Sequence, residues 1–315
     1  MKRKIQLLLM MLIIGAGVYY FSQMGEELKR IKELTFIQIC VASLAILISF
    51  YVNGLRFKKL LCAFKINLTI HEWFGLPQIR RLGNLIFFKS GTLTNAYYLK
   101  TNHRLSYPKF IIAMSVQKYI QVLSLLMIAI VINFHFYFFY GLSPFYAISS
   151  CFLLLCLSLL LLSPQWKLSK QESKFYQNIQ KALDIWYNFR NDKFSVLSLI
   201  FFEILSMLAI GFRFYIAFNI LGYSMDFISC MIMTIIFLLA EFIGIVPGGI
   251  GLREVAVGLA ASYMDYNFDY GVIATSLDRI LSTFWFGIFG FIYFHFLHMK
   301  EYVKDPSVIS DSVTN

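Results

Sequence analysis

Long apolar runs broken by short polar stretches dominate the chain. Six of them are long enough to cross roughly 30 Å of hydrocarbon as helices: residues 5–21, 34–52, 108–133, 146–162, 194–216 and 271–298. A further run, 227–246, leads into a break where Pro247, Gly248, Gly249 and Gly251 interrupt apolar chain and a charged pair, Arg253 and Glu254, follows. Irregular backbone survives inside a bilayer only where protein or a watery cavity satisfies its amide groups. The break therefore marks either a tight turn closed by a fixed Arg–Glu pair or a site. Residues 69–105 are also irregular, because Arg80 and Arg81 split an amphipathic stretch and Lys89 and Gly91 separate two apolar pieces. That pattern predicts a hairpin dipping into the membrane. Between 167 and 190, Phe175, Ile179, Ala182, Leu183 and Trp186 share one helical face with lysines opposite. This cytoplasmic loop, 163–193, carries either a helix lying on the leaflet or a solvated linker helix. The tail 305–315 is polar and is expected to be disordered.

Sliding the chain by 160 residues superposes Gly91 on Gly251, Ala96 on Ala256, Leu99 on Leu259 and Ile120 on Ile280 without a gap. Lys118 then falls on Asp278, and the span 34–52 falls on 194–216, which crosses in the opposite sense. The pattern predicts an inverted repeat with halves at about 34–133 and 194–298. In it, 69–105 enters from the cytoplasm and 227–264 enters from the outer face, returning through the short helix 252–264. That helix rises only about 20 Å and does not span alone. The expected fold is an all-α polytopic integral membrane protein. One transmembrane domain covers 1–304, with about six spanning helices and two opposed re-entrant hairpins.

Composition agrees. The 315 residues are 59% hydrophobic and 18% aromatic with only 14% charged, which excludes a pair of soluble domains. The net charge of +11 would suggest nucleic acid in a soluble chain, but its placement points elsewhere. Basic residues crowd 53–105, where they face only Glu72, and 163–193, whereas 134–145, 217–226 and 265–270 hold no Lys or Arg. The positive-inside rule then puts both termini in the cytoplasm of a bacterial-type inner membrane, with no nucleic-acid partner. The loop 22–33 disagrees only in part, since Lys29, Arg30 and Lys32 are offset by Glu26, Glu27 and Glu33. Bulky aromatics follow the first apolar run where a cleavage site would stand, so that run is read as a retained anchor. The five cysteines and five histidines show no ligand spacing, and neither metal nor cofactor is expected.

Eight ionisable groups lie at membrane depth or at the breaks: Lys118, Glu203, Arg213, Glu241, Arg253, Glu254, Asp278 and Arg279. Each would cost about 2.5–3.5 kcal/mol at a helix centre in lipid, whereas four cations and four anions can pair around an internal polar site. At the break, Pro247 ends one helix, the glycines admit close backbone approach, and the next helix offers its amide end to an anion such as a phosphate headgroup. Arg253 is placed to meet that phosphate, and Glu254 to hold Arg279 or Arg213 or to take up a proton. Asp278 and Arg279 point about 100° apart around a helix and so require separate partners. Glu203 and Arg213 are about 15 Å apart along theirs and do not bridge each other. Gln117 and Gln121 beside Lys118 suit helix packing.

The run IVPGGIGLREVAVG, followed after a short loop by a helix containing SLDRI, resembles the flippase-like family typified by the transmembrane region of lysylphosphatidylglycerol synthases. KSGTLTNAYYLK and then SVQKYIQVL look like the first-half motif of that family, and the likeness covers nearly the whole chain. Here Thr92 follows Gly91 where the family has Glu, and Asn95 stands where it has Arg. The resemblance implies a protein that moves lipids across the bilayer. Related membrane domains are fused to aminoacyl-transferase or glycosyltransferase domains, but no hydrophilic stretch here exceeds about thirty residues, so an aminoacyl-lipid synthase is not expected.

The leading expectation is a non-enzymatic translocase of an anionic phospholipid or a polyprenyl-phosphate-linked glycan. Pro247, Gly248, Gly249, Gly251, Arg253, Glu254, Lys118, Asp278 and Arg279 would bind the substrate, and Glu241, Glu203 and Arg213 would balance charge or couple protons. The alternative is a non-transporting scaffold for an envelope glycosyltransferase. An intramembrane lipid enzyme ranks last, because no nucleophile stands beside a base.

Overall fold

The computed structural model describes residues 33–86, 89–140, 192–243 and 251–304, with isolated positions at 149, 153, 154 and 156. Among these the protein is all helical. Its elements are α1 (Phe36–Ala63), α2 (Ile70–Ile86), α3 (Ser90–His103), α4 (Tyr107–Tyr140), α5 (Lys193–Ile220), α6 (Phe227–Ile243), α7 (Leu252–Tyr263) and α8 (Phe268–Lys304). Four of them hold stretches long and apolar enough to cross a membrane: Phe36–Ala63, Tyr107–Phe138, Lys193–Ile220 and Phe268–Leu297. The chain is a membrane-embedded, multi-pass protein. The expected spans 5–21 and 146–162, the loop 167–190 and the tail lie outside the described residues.

The largest difference from the sequence reading is the length of α1, expected to stop near residue 52 but continuous to Ala63. Buried Gly54, Phe57, Leu60 and Leu61 carry its packed stripe onward past the polar residues. Helix position follows from caps as much as from apolar content. Thr35 and Gln38 form a reciprocal capping box at the start of α1, and Asp192 accepts from the backbone N–H of Ser195 at the start of α5. The Glu72 carboxylate accepts from the Thr69 N–H ahead of α2, and the Asp226 carboxylate accepts from the Ser229 N–H ahead of α6.

The other helix ends fall into pairs as well. Left-handed residues close α1 at Lys65 and α5 at Gly222, and in each case the next N–H turns back to a last-turn carbonyl, Ile66 to Leu61 and Tyr223 to Phe218. Arg104 after α3 and Asp265 after α7 repeat the device, with Leu105 bonded back to Leu99 and Tyr266 to Ala261. Even the entries to α3 and α7 match, through positive φ at Lys89 (60°) and Gly251 (82°). Adding 160 to the bounds of α1 to α4 gives 196–223, 230–246, 250–263 and 267–300, each within four residues of α5 to α8.

Corresponding helices α1 and α5 run antiparallel. Arg56 meets Glu203 while Ser49 meets Arg213, so one index falls as the other rises. Each set of four helices has its own core. Phe57, Leu61, Trp73, Leu76, Tyr98, Leu99 and Phe110 form one. Phe214, Phe218, Met233, Val257, Ala261, Ile273 and Leu277 form the other. In both, glycine lets a short helix approach its neighbour closely, α3 on α2 in the first set and α7 on α8 in the second. A Cβ at Gly91 would lie 2.1 Å from the Arg80 carbonyl oxygen, and one at Gly271 would lie 2.7 Å from that of Val257. The outer faces stay apolar, with Phe201, Val131 and Phe291 all exposed on long helices, as a hydrocarbon solvent requires.

The two sets are not packed alike. Helix α8 lies against α2 along much of its length, through Tyr293 on Gly75 and Gly290 on Leu82, with Phe74 edge-on to Phe289. Between the corresponding pair, α4 and α6, the close polar contact is that of Lys118 with Glu241, and both side chains remain open, at 45% and 38%.

Candidate functional site

Charged side chains gather where α1, α2, α4, α5, α6, α7 and α8 face one another, and they divide into two kinds. The first kind is paired closely. Arg56 on α1 donates to Glu203 on α5 at 2.7 Å. Arg213 on α5 forms a bidentate bridge to Asp278 on α8, Nε to Oδ1 at 2.8 Å and Nη2 to Oδ2 at 2.6 Å, and its Nη1 donates to the Ser49 hydroxyl at 3.2 Å. Arg279 on α8 pairs with Glu254 on α7. These three pairs tie α1 to α5, α5 to α8 and α8 to α7. Glu203, Arg213, Asp278 and Glu254 are each buried. A bidentate Arg–carboxylate fork is among the stronger pairings available in such surroundings.

Cations of the second kind rest on aromatic rings. Arg80 lies over Phe57 at 5.9 Å, Arg81 over Phe50 at 4.8 Å, Lys118 over Phe242 at 4.6 Å and Arg253 over Phe237 at 4.8 Å. Among the described residues, only Glu241 comes within 4.0 Å of any of them, at 3.5 Å from Lys118 and 3.8 Å from Arg253, and Glu203 lies within electrostatic reach of Lys118. Arg80 also donates to the Met114 sulfur at 3.3 Å. With its amide turned to face them, the Asn53 oxygen accepts from Arg81 at 3.0 Å and from Arg56 at 3.1 Å. Among the described residues, no carboxylate comes within 4.0 Å of Arg80 or Arg81. Both nevertheless lie within electrostatic reach of Arg56 and Glu241, and Arg81 of Arg213 as well.

The expected residues are therefore largely brought together, though not in even numbers. Asp278 and Arg279 do take separate partners, and Glu203 and Arg213 do not meet. Gln121 accepts from Lys118 at 3.0 Å rather than only packing. Among the described residues the even balance of four cations and four anions does not hold, because Arg56, Arg80 and Arg81 join the cluster, giving seven cations to four carboxylates. Arg56 belongs to a basic stretch placed on the cytoplasmic side, and Arg80 and Arg81 to the stretch expected to dip into the membrane as a hairpin. The available signal was that Arg80 and Arg81 sit within an amphipathic run, and that Arg56 follows the expected apolar span by about one turn. Gly251 is the N-cap of α7 and supplies no side-chain cap. Pro247, Gly248 and Gly249 lie outside the described residues.

The cluster also contains polar atoms with no partner among the described residues: both amide atoms of Gln78, Nε of Arg253 and Oε2 of Glu254. Gln78 is fully buried on α2, one turn before Arg81. Among the described residues, no group of His, Cys, Asp and Glu could hold a metal ion. The arrangement suits binding of an anion by fixed cations, with the carboxylates holding several of those cations in place.

Compared with protein families, residues 7–290 match the family described as the lysylphosphatidylglycerol synthase TM region. The chain belongs to this family. The resemblance read from IVPGGIGLREVAVG and SLDRI thus identifies the family, and with it a membrane protein of lipid metabolism or of the cell envelope. A comparison with curated proteins finds no match. In this member, both segments that carry the likeness deliver charged residues to one place, Arg253 and Glu254 from α7 and Asp278 and Arg279 from α8.

Proposed function

We propose that the protein is a lipid translocase, moving an anionic headgroup across the cytoplasmic membrane of a bacterial-type cell. The observation that carries this reading is the surplus of cations around Glu241, on helices whose outer faces are apolar. Unpaired charge at membrane depth is expensive, and a lipid phosphate entering between α4 and α6 would relieve it while its chains stayed in the bilayer. Lys118 and Arg253 would hold the phosphate, with Glu241 exchanging partners or taking up a proton as the headgroup arrives. Arg213, Asp278, Arg279, Glu254 and Glu203 would fix the surrounding helices.

The matched helix bounds and caps, together with antiparallel α1 and α5, support an inverted repeat. On this reading α2–α3 and α6–α7 are re-entrant hairpins opening to opposite faces, and both termini lie in the cytoplasm. The protein does no covalent chemistry in this account. Leaflet-resolved lipid profiling of cells lacking the protein tests it, the expected result being one anionic lipid class accumulating in the leaflet where it is made. Unchanged leaflet distributions, together with copurification of an envelope glycosyltransferase through exposed Lys58, Lys59, Lys65 and Lys100, would favour the scaffold reading instead.

A further inference from the structure

Resting on that translocase reading, we infer that the headgroup bears at least two negative charges on adjacent phosphates, as in a polyprenyl diphosphate, rather than the single charge of a phosphodiester phospholipid. The inference starts from the division between the two kinds of cation. Arg56, Arg213 and Arg279 each have a carboxylate of their own, Glu203, Asp278 and Glu254. Among the described residues, Arg80, Arg81, Lys118 and Arg253 have no carboxylate to themselves: Glu241 reaches all four, Glu203, already paired with Arg56, also reaches Lys118, and each cation is held on a phenylalanine ring. A phenylalanine face orients a cation without neutralising it, so among the described residues, with Arg56 and Glu203 offsetting each other, four oriented positive charges face the single charge of Glu241. A monoanion would leave two cations uncompensated in a region of low dielectric, whereas a diphosphate ester, with two or three charges, leaves at most one.

Geometry favours the same class. Arg80 and Arg81 are consecutive on α2 and diverge, one toward Phe57 and Met114 and the other toward Phe50 and Asn53. Lys118 and Arg253 approach Glu241 from α4 and α7. The cations thus come from three helices around one open carboxylate and suit two phosphates better than one. Arginine forks match phosphate oxygens in pairs. The Gln78 amide, fully buried one turn from Arg81 and without a partner among the described residues, adds an unspent donor on the same helix. The Arg253 Nε is likewise unpartnered there.

The test uses the full-length protein in neutral detergent with three probes: geranylgeranyl diphosphate, dioleoylphosphatidylglycerol and geranylgeraniol. The diphosphate is expected to bind at least about tenfold more tightly than the phosphatidylglycerol, roughly the effect of one charge-assisted hydrogen bond, and geranylgeraniol more weakly than either. Arg80→Gln with Arg81→Gln should erase that preference, whereas Arg80→Lys with Arg81→Lys should keep a large part of it; the melting temperature of each variant shows whether it is folded. Equal affinity for the two phosphate lipids, or a preference unchanged in a folded Gln variant, overturns the inference. Translocation is read separately in vesicles. A diphosphate preference with no lipid movement leaves the inference standing and removes the translocase reading. Movement of phosphatidylglycerol with no diphosphate preference does the reverse.

Discussion

The Arg213–Asp278 bridge binds two long helices through a fork closed on its far side by the Ser49 hydroxyl. Removing one member leaves a charge buried alone, at a cost of about 3–5 kcal/mol. Asp278→Ala should therefore lower the melting temperature in detergent by many degrees. Arg213→Leu with Asp278→Leu should recover a large part of the loss, because an apolar pair of similar volume is often neutral. Lys118→Gln and Arg253→Gln should leave melting almost unchanged, since both side chains are partly exposed and share a single carboxylate at 3.5 and 3.8 Å. At this scale the sequence was informative about which charges are unusual, because an Asp or Arg inside a long apolar run stands out. It was poor at saying which charges pair, since Glu203 and Arg56 lie 147 residues apart. Arg80 and Arg81 marked the break in 69–105, but local sequence could not show that they join the charged cluster, because the rings and amide they meet lie on other helices.

At the scale of elements, the short helices depend on close approach. Gly91 leaves no room for a side chain against the Arg80 carbonyl, where a Cβ would sit at 2.1 Å. Gly91→Ala should force α2 and α3 apart, giving a protein that is poorly inserted or sensitive to proteolysis within 69–105. The foot of the same hairpin is held at Glu72, where burial pushes the carboxyl up but hydrogen bonds from His103, Thr69 and Tyr98 prevail and hold it at about 2. A carboxyl lowered on folding contributes stability that is present above its ordinary value near 4.5 and is lost as pH falls toward 2. Melting followed from pH 6 to pH 3 should thus decline more steeply in the native protein than in Glu72→Gln, with a difference of about 1–3 kcal/mol near neutrality. The break between two short helices was legible in advance through Gly91 and the broken apolar pattern. The eleven residues by which α1 outruns its expected end were not, because Arg56, Lys58 and Lys59 look like the end of a span while Phe57, Leu60 and Leu61 go on packing inward.

On the scale of the whole molecule, two sets of four helices repeat one another in order, length and caps, yet share few identical residues. A constant spacing of 160 could be read from Gly91, Gly251, Lys118 and Asp278 because it needs only a register. The unequal closure of the sets, with α8 fitted along α2 while Lys118 and Glu241 stand open between α4 and α6, depends on long-range packing that no local pattern encodes. The inverted arrangement predicts that single cysteines at Thr101 and Tyr263, both exposed, are labelled from opposite faces in a cysteine-free background. Labelling of both from the same face would contradict it.

The central claim concerns lipid movement past the shared carboxylate, and proteoliposomes test it most directly. Protein is reconstituted with labelled lipids, including a polyprenyl diphosphate and phosphatidylglycerol, and label reaching the opposite leaflet is followed over time. The account predicts faster movement of at least one anionic lipid than in protein-free vesicles, and loss of that acceleration in folded Lys118→Gln with Arg253→Gln. No acceleration of any anionic class, or acceleration that survives the double substitution, would contradict it.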